Sequence, residues 1–289
     1  MGLSKIAGLF SSCTDLSYID SASSSIKSSS SDLEAHFEKH PSVRVVPIAE
    51  YKQAALTLAE AFAEDDVARY FIDTPDRANW NEKQKWDLHL SILEYITYAH
   101  CMRGLVLCAG ENYGCVALWY NSVLDKLFPA DTNTCSRMPP GRNMDDLYTT
   151  IKSGMWRLNY RLSREGRIRF FDEFYPLLHD TKAAVLGDRD DESWYLVYIG
   201  TRPSSRGLGL ARKCIEAVTK LADEQGLPCY LESSNDINPA IYAKMGFEHR
   251  CRIELERAEK RVGMDCMVKE SAMVETRYVD LAKDFVKKE

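Results

Sequence analysis

The chain has no CxxC pair and no HExxH spacing, and Cys101, Cys108 and Cys115 stand too far apart for a tight ligand pair. Zinc-type ligand spacing is therefore absent, and no metal is expected. Nine cysteines form an odd set in 289 residues, a poor basis for a disulfide framework in a chain long enough to build its own core. A reducing, intracellular setting is expected, with the protein soluble and cytoplasmic. No apolar run is long enough to span a bilayer, and the start, MGLSKIAGLF, gives way to serines rather than to a clean leader cleavage region. Gly2 does not open a myristoylation pattern, because Ile6 stands where that pattern needs Ser or Thr. Positive charge is not in surplus either: 37 basic against 43 acidic residues give a formal net charge of -6. A global basic field of the kind that draws nucleic acid is missing. Neither nucleic acid nor membrane is an expected partner.

What the chain does have is the composition of a folded domain, 45% hydrophobic and 28% charged. Residues 1–42 carry SASSSIKSSSSDL, a tract too poor in apolar surface to offset the entropy of ordering it, so a flexible tail is expected there. A single folded unit is expected over about residues 43–270, followed by a charged segment, 271–289. VRVVPIAEY, Val43–Tyr51, reads as a strand ended near Pro47, and the next stretch sets Leu56, Ala59 and Phe62 on one helical face. A second helix places Trp86, His89, Leu90, Leu93 and Ile96 together, with His89 as a core-lining residue. Two apolar runs around Gly110–Gly114 read as a hairpin.

A helical insert is expected at about 121–191, with helices near Met144–Tyr160 and Ile168–Val185. It interleaves Arg157, Arg161, Arg164, Arg167 and Arg169 with Trp156, Tyr160, Phe170, Phe171 and Phe174. Two readings stand side by side: a basic aromatic groove for an anion, or amphipathic helices with solvated charges and buried rings. The acidic net charge and the nearby GDRDDE favour the second.

The densest signal is YIGTRPSSRGLGLARKC, Tyr198–Cys214. ESWYLVYIG before it is rich in β-formers and nearly continuous in apolar residues, as in a central strand. After Pro203, Ala211, Cys214, Ile215, Val218, Leu221 and Ala222 recur at offsets of three and four up to Gly226, a helix with its cap. Gly207 and Gly209 therefore occupy the turn and the first helical residues. A helix N-terminus offers unsatisfied N–H groups and the positive end of a dipole, and it takes phosphate when nothing bulky blocks the approach. Glycine spacing alone also suits a plain tight turn. A dinucleotide or P-loop site fits poorly, because GxGxxG is incomplete and no GK[ST] follows.

Arg206-Gly207-Leu208-Gly209-Leu210-Ala211 resembles the [QR]xxGx[GA] element of the GNAT superfamily of acetyl-CoA-dependent N-acetyltransferases. Thr201-Arg202-Pro203 stands where that family often has V-x-P, and CYLESSNDINPAIYAKMGF, Cys229–Phe247, is similar to its fifth strand and following N…Y…GF segment. The resemblance implies a mixed α/β fold with a mostly antiparallel, splayed sheet flanked by helices. It implies acetyl-CoA as co-substrate, with Ile199, Gly200 and Thr201 offering backbone groups to the pantetheine arm and residues 206–211 cradling the pyrophosphate. An asparagine, Asn235 or Asn238, contacts the cofactor arm in this picture, and Tyr242 matches the family tyrosine near the thioester sulfur. A core tyrosine is the plainer alternative.

From capping rules, Asn238 is the N-cap and Pro239 the first residue of a helix reaching Met245. An attacking amine must lose a proton. Glu232 on the fifth strand is the candidate acceptor, with Glu192 and Asp191 as alternatives and a structural carboxylate as the plain reading. Cys214 and Cys229 read as core residues, and CRIELERA and VGMDCMVKE as a closing antiparallel pair. The implied function is transfer of acetyl from acetyl-CoA to a primary amine by direct attack, on a small molecule. Acetylation of a protein, or a silent acyl-CoA-binding module, are the alternatives.

Overall fold

The computed structural model describes residues 36–37, 40, 42–121 and 147–272. The serine-rich tract, the MPPG stretch and most of 271–289 lie outside them. Strand β1 (Val43–Val45) leads through a short 3-10 turn to helices α1 (Tyr51–Ala61), α2 (Asp66–Ile72) and α3 (Glu82–Arg103). The hairpin β2 (Leu105–Ala109) and β3 (Cys115–Tyr120) follows as expected. After the insert come β4 (Trp194–Thr201), α4 (Leu210–Gln225), β5 (Cys229–Ser233), α5 (Asn238–Ala243), β6 (Glu248–Leu255) and β7 (Val262–Lys269). The seven strands form one sheet in the order β1-β2-β3-β4-β5-β7-β6. Every neighbouring pair is antiparallel except β4 with β5.

The sheet separates two cores. On one face α4 packs Cys214, Ile215, Val218 and Leu221 against Trp119, Trp194, Leu196 and Cys229. On the other, α1, α2, α3 and the insert pack around Leu58, Leu93, Leu118 and Phe170. The first strand is shorter than the sequence reading, because the chain turns into a 3-10 segment at Ile48 directly after Pro47. α2 was not anticipated; Asp65 caps it, its Oδ1 accepting from the N–H of Val67 and of Ala68 at 3.0 Å each. α3 opens on a full capping box between Asn81 and Gln84. His89 lines the core as expected, its Nε2 3.0 Å from the Ala59 carbonyl oxygen. His36 and Phe37, inside the expected tail, are buried against α4, His36 Nε2 lying 2.8 Å from the Ala217 carbonyl oxygen.

The described insert is more broken than two helices. Short helices at Leu147–Ser153, Leu158–Arg161 and Arg164–Arg167 run into a π-helical segment, Ile168–Phe174, and then a regular helix, Tyr175–Leu186. Gly154, with φ of 83°, and the Ser163 cap set the breaks. The rings divide: Phe170, Phe171 and Phe174 join the core, whereas Trp156 and Tyr160 stay exposed. Arg169 is buried and paired with Glu165 at 3.1 Å.

Gly200 is fixed by packing. A Cβ there would lie 2.7 Å from Ala61 Cβ and 3.1 Å from Leu58 Cδ2, so α1 can approach β4 only over bare backbone. Gly200→Val is expected to destabilise the fold by ~1–3 kcal/mol through overpacking, read as a lower urea midpoint at unchanged slope.

Candidate active site

The sheet comes apart at one place. β4 and β5 pair only over Trp194–Leu196 with Cys229–Leu231. β4 then runs on to Thr201 beside β3, and β5 to Ser233 beside β7. A bulge begins the separation: Trp119 faces Leu196 and the next β3 residue, Leu118, faces Tyr198, leaving Val197 as the extra residue. Bulges bend their strand, and this one turns β4 away from β5. It also resets the faces. Trp194, Leu196 and Ile199 look toward α4, while Tyr195 and Tyr198 look the other way. Beyond the bulge, the edges of β4 and β5 that face each other have no strand partner. Ile199, Gly200 and Thr201 all lie along this stretch.

The glycine turn closes one end of the opening. Gly207 and Gly209 adopt φ of 80° and 71°, a region that side chains disfavour. No atom lies within 4 Å of a Cβ built on either. The protein thus leaves space open at the turn that leads into α4, whose first N–H groups have no partner within the helix and whose dipole end is positive. The sequence reading placed a glycine inside the helix; instead Gly209 is the N-cap and α4 begins at Leu210, because a left-handed residue cannot lie within it. Leu210 is buried against Gly110 and Gly114 and fixes the turn to the β2–β3 hairpin. Ala211 packs on the same core, whereas Leu208 projects outward, 65% exposed. Arg202 ties the turn to α1 through Glu60 at 3.1 Å. Arg206 and Lys213 are exposed there, and neither has an ion-pair partner among the described residues. Lys213 was missed because periodicity assigns it only to the polar face of α4. An uncovered helix start beside two unpaired cations is a donor set that fits a diphosphate.

Tyr242 lies on the α4 side, in the same core as Cys115 and Cys214, with the Thr201 hydroxyl against the Cys115 thiol. It is 8% exposed and packs edge-on against Phe247 at 6.0 Å. Burial, with the Cys115 thiol nearby, holds its phenol well above the usual range, so it stays protonated. The expected Asn238 cap is not formed. α5 starts at Asn238 itself and no side chain caps it, because Asn235 takes the turn first: its Oδ1 accepts from the Ile237 N–H at 2.9 Å, and its carbonyl oxygen from Ser233 Oγ at 3.2 Å. Asn235 is exposed and Asn238 half-buried, both at the end of the β5 limb.

Glu232 lies on β5 beyond the last β4 pair, on the face away from α4. Leu231 joins the α4 core, so the two neighbours point to opposite faces. Burial pushes the Glu232 carboxyl up to about 7, partly countered by the hydroxyls of Tyr195 and Tyr230 and by Lys182. Its Oε1 and the Tyr230 hydroxyl are buried without a hydrogen-bond partner among the described residues. Unpartnered buried polar atoms are rare and call for a ligand or a water. The Tyr195 and Tyr230 rings lie 5.6 Å apart, and the Lys182 ammonium sits 5.7 Å from the Tyr195 ring centre. Asp191 and Glu192, the alternatives, are exposed in the turn before β4. One further carboxylate spans the opening: Asp65, the cap of α2, accepts from Ser234 Oγ at 2.5 Å with its Oδ2. Sequence reasoning gave no sign of that pair, since 169 residues separate its members.

The Acetyltransferase (GNAT) family model matches residues 167–247, the end of the insert through the β5–α5 segment. An uncharacterized N-acetyltransferase of Schizosaccharomyces pombe is 44% identical over 221 residues, covering 76% of this chain and 80% of the relative. The chain belongs to the GNAT family of acetyltransferases, enzymes that use acetyl-CoA as co-substrate. Solved structures are more distant. A histone acetyltransferase HPA2 and related acetyltransferase from Corynebacterium glutamicum is 18% identical with a TM-score of 0.47, covering 80% of this chain and 96% of that one. A polyamine N-acetyltransferase from Drosophila melanogaster is 11% identical with a TM-score of 0.47, covering 79% and 98%. Likenesses at that level say nothing of the acceptor. No helix among the described residues is long and apolar enough to cross a membrane.

Proposed function

We propose that this acetyltransferase, with about residues 43–270 as its catalytic unit, acetylates a small primary amine by direct attack on acetyl-CoA. The observation that carries the reading is the coincidence of two features on one opening. The sheet parts after Leu196 and Leu231, with an open glycine turn at one end and, on the far face, the Glu232 carboxyl, whose Oε1 is buried without a hydrogen-bond partner among the described residues. The backbone N–H groups from Arg206 to Ala211 hold the pyrophosphate, with Arg206 and Lys213 as counter-charges. The unpaired edge at Ile199, Gly200 and Thr201 takes the amide-rich arm as a further strand would, and Asn235 or Asn238 meets it from the β5 side. Bound acetyl-CoA supplies an activated acyl group. The chain's own residues then move protons: Glu232 accepts one from the amine, and Tyr242 donates one to the departing sulfur. A carboxyl poised near neutrality suits the first task, since it is largely ionised at pH 7.5 yet basic enough to accept. The insert packs over the face that carries Glu232 and Tyr198, which supports a small acceptor over an extended polypeptide.

The test is the cofactor turn. Gly209→Glu sets a side chain and a negative charge where the pyrophosphate binds; it meets no packed neighbour, and the positive φ of 71° adds a local backbone strain of about 1–2 kcal/mol. The affinity for coenzyme A by calorimetry is expected to fall at least ~10-fold, the equivalent of one charge-assisted contact, with the melting temperature within a few degrees of wild type. A folded variant that binds coenzyme A as tightly as wild type would remove the turn from the site.

A further inference from the structure

We infer that Cys251 and Cys266 form a thiol modification site, at which a hydroperoxide closes a reversible cross-strand disulfide and slows acetyl transfer; the effect on rate rests on the role given to Glu232 above. The two residues face each other directly across β6 and β7. A local irregularity puts them there. His249 is opposite Met267, so an unbroken ladder would set Arg250 opposite Cys266 and turn Cys251 to the face that carries Met267. The register shift at Arg250 instead brings Cys251 opposite Cys266, the re-aiming of a side chain that a bulge performs. Both cysteines then pack in one cluster with Leu186, Tyr230 and Val268. Directly opposed residues of an antiparallel pair have Cα atoms about 4.5–5.5 Å apart, inside the span of about 4.4–6.8 Å that a disulfide bridges. The two side chains already meet, and both thiols are free.

Access orders the chemistry. β6 is an edge strand of the sheet, and Cys251 on it is half-buried, whereas Cys266 lies one strand further in and is fully buried. Burial, with the Glu232 carboxyl nearby, raises the Cys266 thiol, so that thiol stays protonated and Cys251 reacts first. The Cys251 sulfur attacks a peroxide oxygen: an S–O bond forms, the O–O bond breaks, and the departing oxygen takes the Cys251 proton and leaves as water or alcohol. The Cys266 sulfur then attacks the Cys251 sulfur: an S–S bond forms, the S–O bond breaks, and the Cys266 proton leaves with that oxygen as water. Two electrons pass from the thiol pair to the peroxide, and an external dithiol returns them. Cys115 and Cys214 also meet side chain to side chain, but both are fully buried and offer a peroxide no exposed sulfur.

The consequence reaches Glu232 through the sheet. Cys266 has Cys251 on one side and Glu232 on the other, in register across β6, β7 and β5. Its thiol lies beside the Tyr230 hydroxyl, and the Tyr230 ring packs on Tyr195 next to the carboxyl. Closing the disulfide draws the Cys266 sulfur toward β6 and away from this group, which loosens the packing that holds Glu232. An ångström of misplacement can cost about 10²-fold in rate.

The experiment treats the reduced full chain with hydrogen peroxide and then alkylates the remaining thiols. Peptides carrying Cys251 and Cys266 are read by mass, and acetylation of 2-phenylethylamine, 2-methylpropylamine and 1,4-diaminobutane is followed in parallel. In wild type the two peptides are expected to be joined, and kcat for the fastest of these amines to fall at least ~10-fold and to return with dithiothreitol. Cys251→Ser is expected to keep the untreated wild-type rate and to lose the response to peroxide. Cys266→Ala is the companion variant: it should stop at a sulfenic acid on Cys251, which dimedone traps, with no joined peptide. Peroxide that oxidises other thiols while Cys251 and Cys266 stay unjoined overturns the inference, as does a joined pair with an unchanged rate, or a peroxide response that survives in Cys251→Ser. All three leave acetyl transfer standing. Reduced wild type that binds coenzyme A and acetylates none of the amines instead overturns the acetyl-transfer reading and with it the effect on rate, while the joined peptides, read without any amine, still decide the modification.

Discussion

Glu232→Gln is expected to lower kcat by about 10²–10⁴-fold at pH 7.5, the usual worth of a positioned base. Gln preserves the volume and the hydrogen-bonding reach of the side chain but cannot take a proton from the amine. The pH dependence makes the prediction specific. With its carboxyl raised from 4.5 to about 7 by burial, the wild-type kcat should climb through a limb near pH 7 as the base ionises. The variant should lack that limb and keep only the rise set by the amine's own ionisation at higher pH. Stability moves in the opposite sense. A carboxyl whose pKa is raised by folding binds its proton more tightly in the folded state, so stability is lost as pH rises from about 4.5 to about 7. The variant has no such loss and should melt at or above the wild-type temperature at pH 8. A variant that retains the neutral limb and turns over within about twofold of wild type returns Glu232 to the role of a structural carboxylate.

Tyr242→Phe is expected to cost a similar factor in kcat, about 10²–10⁴-fold, with coenzyme A affinity and melting temperature little changed. The ring packs against Phe247 in the α4 core, and phenylalanine keeps that packing while deleting the proton. The hydroxyl's raised pKa keeps it protonated across the working range, so no new pH limb should appear or vanish. The readout that separates an acid from a packing residue is the leaving group. An acyl donor whose thiol is more acidic needs less help on departure, so the variant should recover most of its rate with such a thioester. Loss of activity that is the same for every thioester, accompanied by a lower melting temperature, would make Tyr242 a core residue only.

Much of this arrangement is written locally in the chain. A continuous apolar run, then a proline and two glycines, then offsets of three and four specify β4, the turn and α4, because each signal acts within one element. The hairpin at Gly110–Gly114 and the core face of α3, with His89 on it, are legible for the same reason. What escaped depends on pairs distant in sequence. The bulge at Val197 exists only in the register of β4 against β3. The tyrosines around Glu232 meet because β4 and β5 are neighbours. The contact of Asp65 with Ser234 joins a helix cap to the end of β5. α2 was missed because seven residues carry barely two turns of periodicity. The Asn238 cap failed through a local competitor, since Asn235 made its own turn first. The insert read as two helices because apolar spacing continues across breaks that Gly154 and Ser163 impose.

The central claim is direct transfer from acetyl-CoA to an amine at the β4–β5 opening, and following both products by mass tests it most directly. The full chain is mixed with acetyl-CoA and a panel of small primary amines, and acetylated amine, free coenzyme A and the mass of the protein are read over time. Direct transfer gives acetylated amine and free coenzyme A in equal amounts, an unmodified protein mass throughout, and loss of both products in Glu232→Gln. Coenzyme A binding with no acetylated amine, or an acetyl group accumulating on the protein before it reaches the amine, would contradict it.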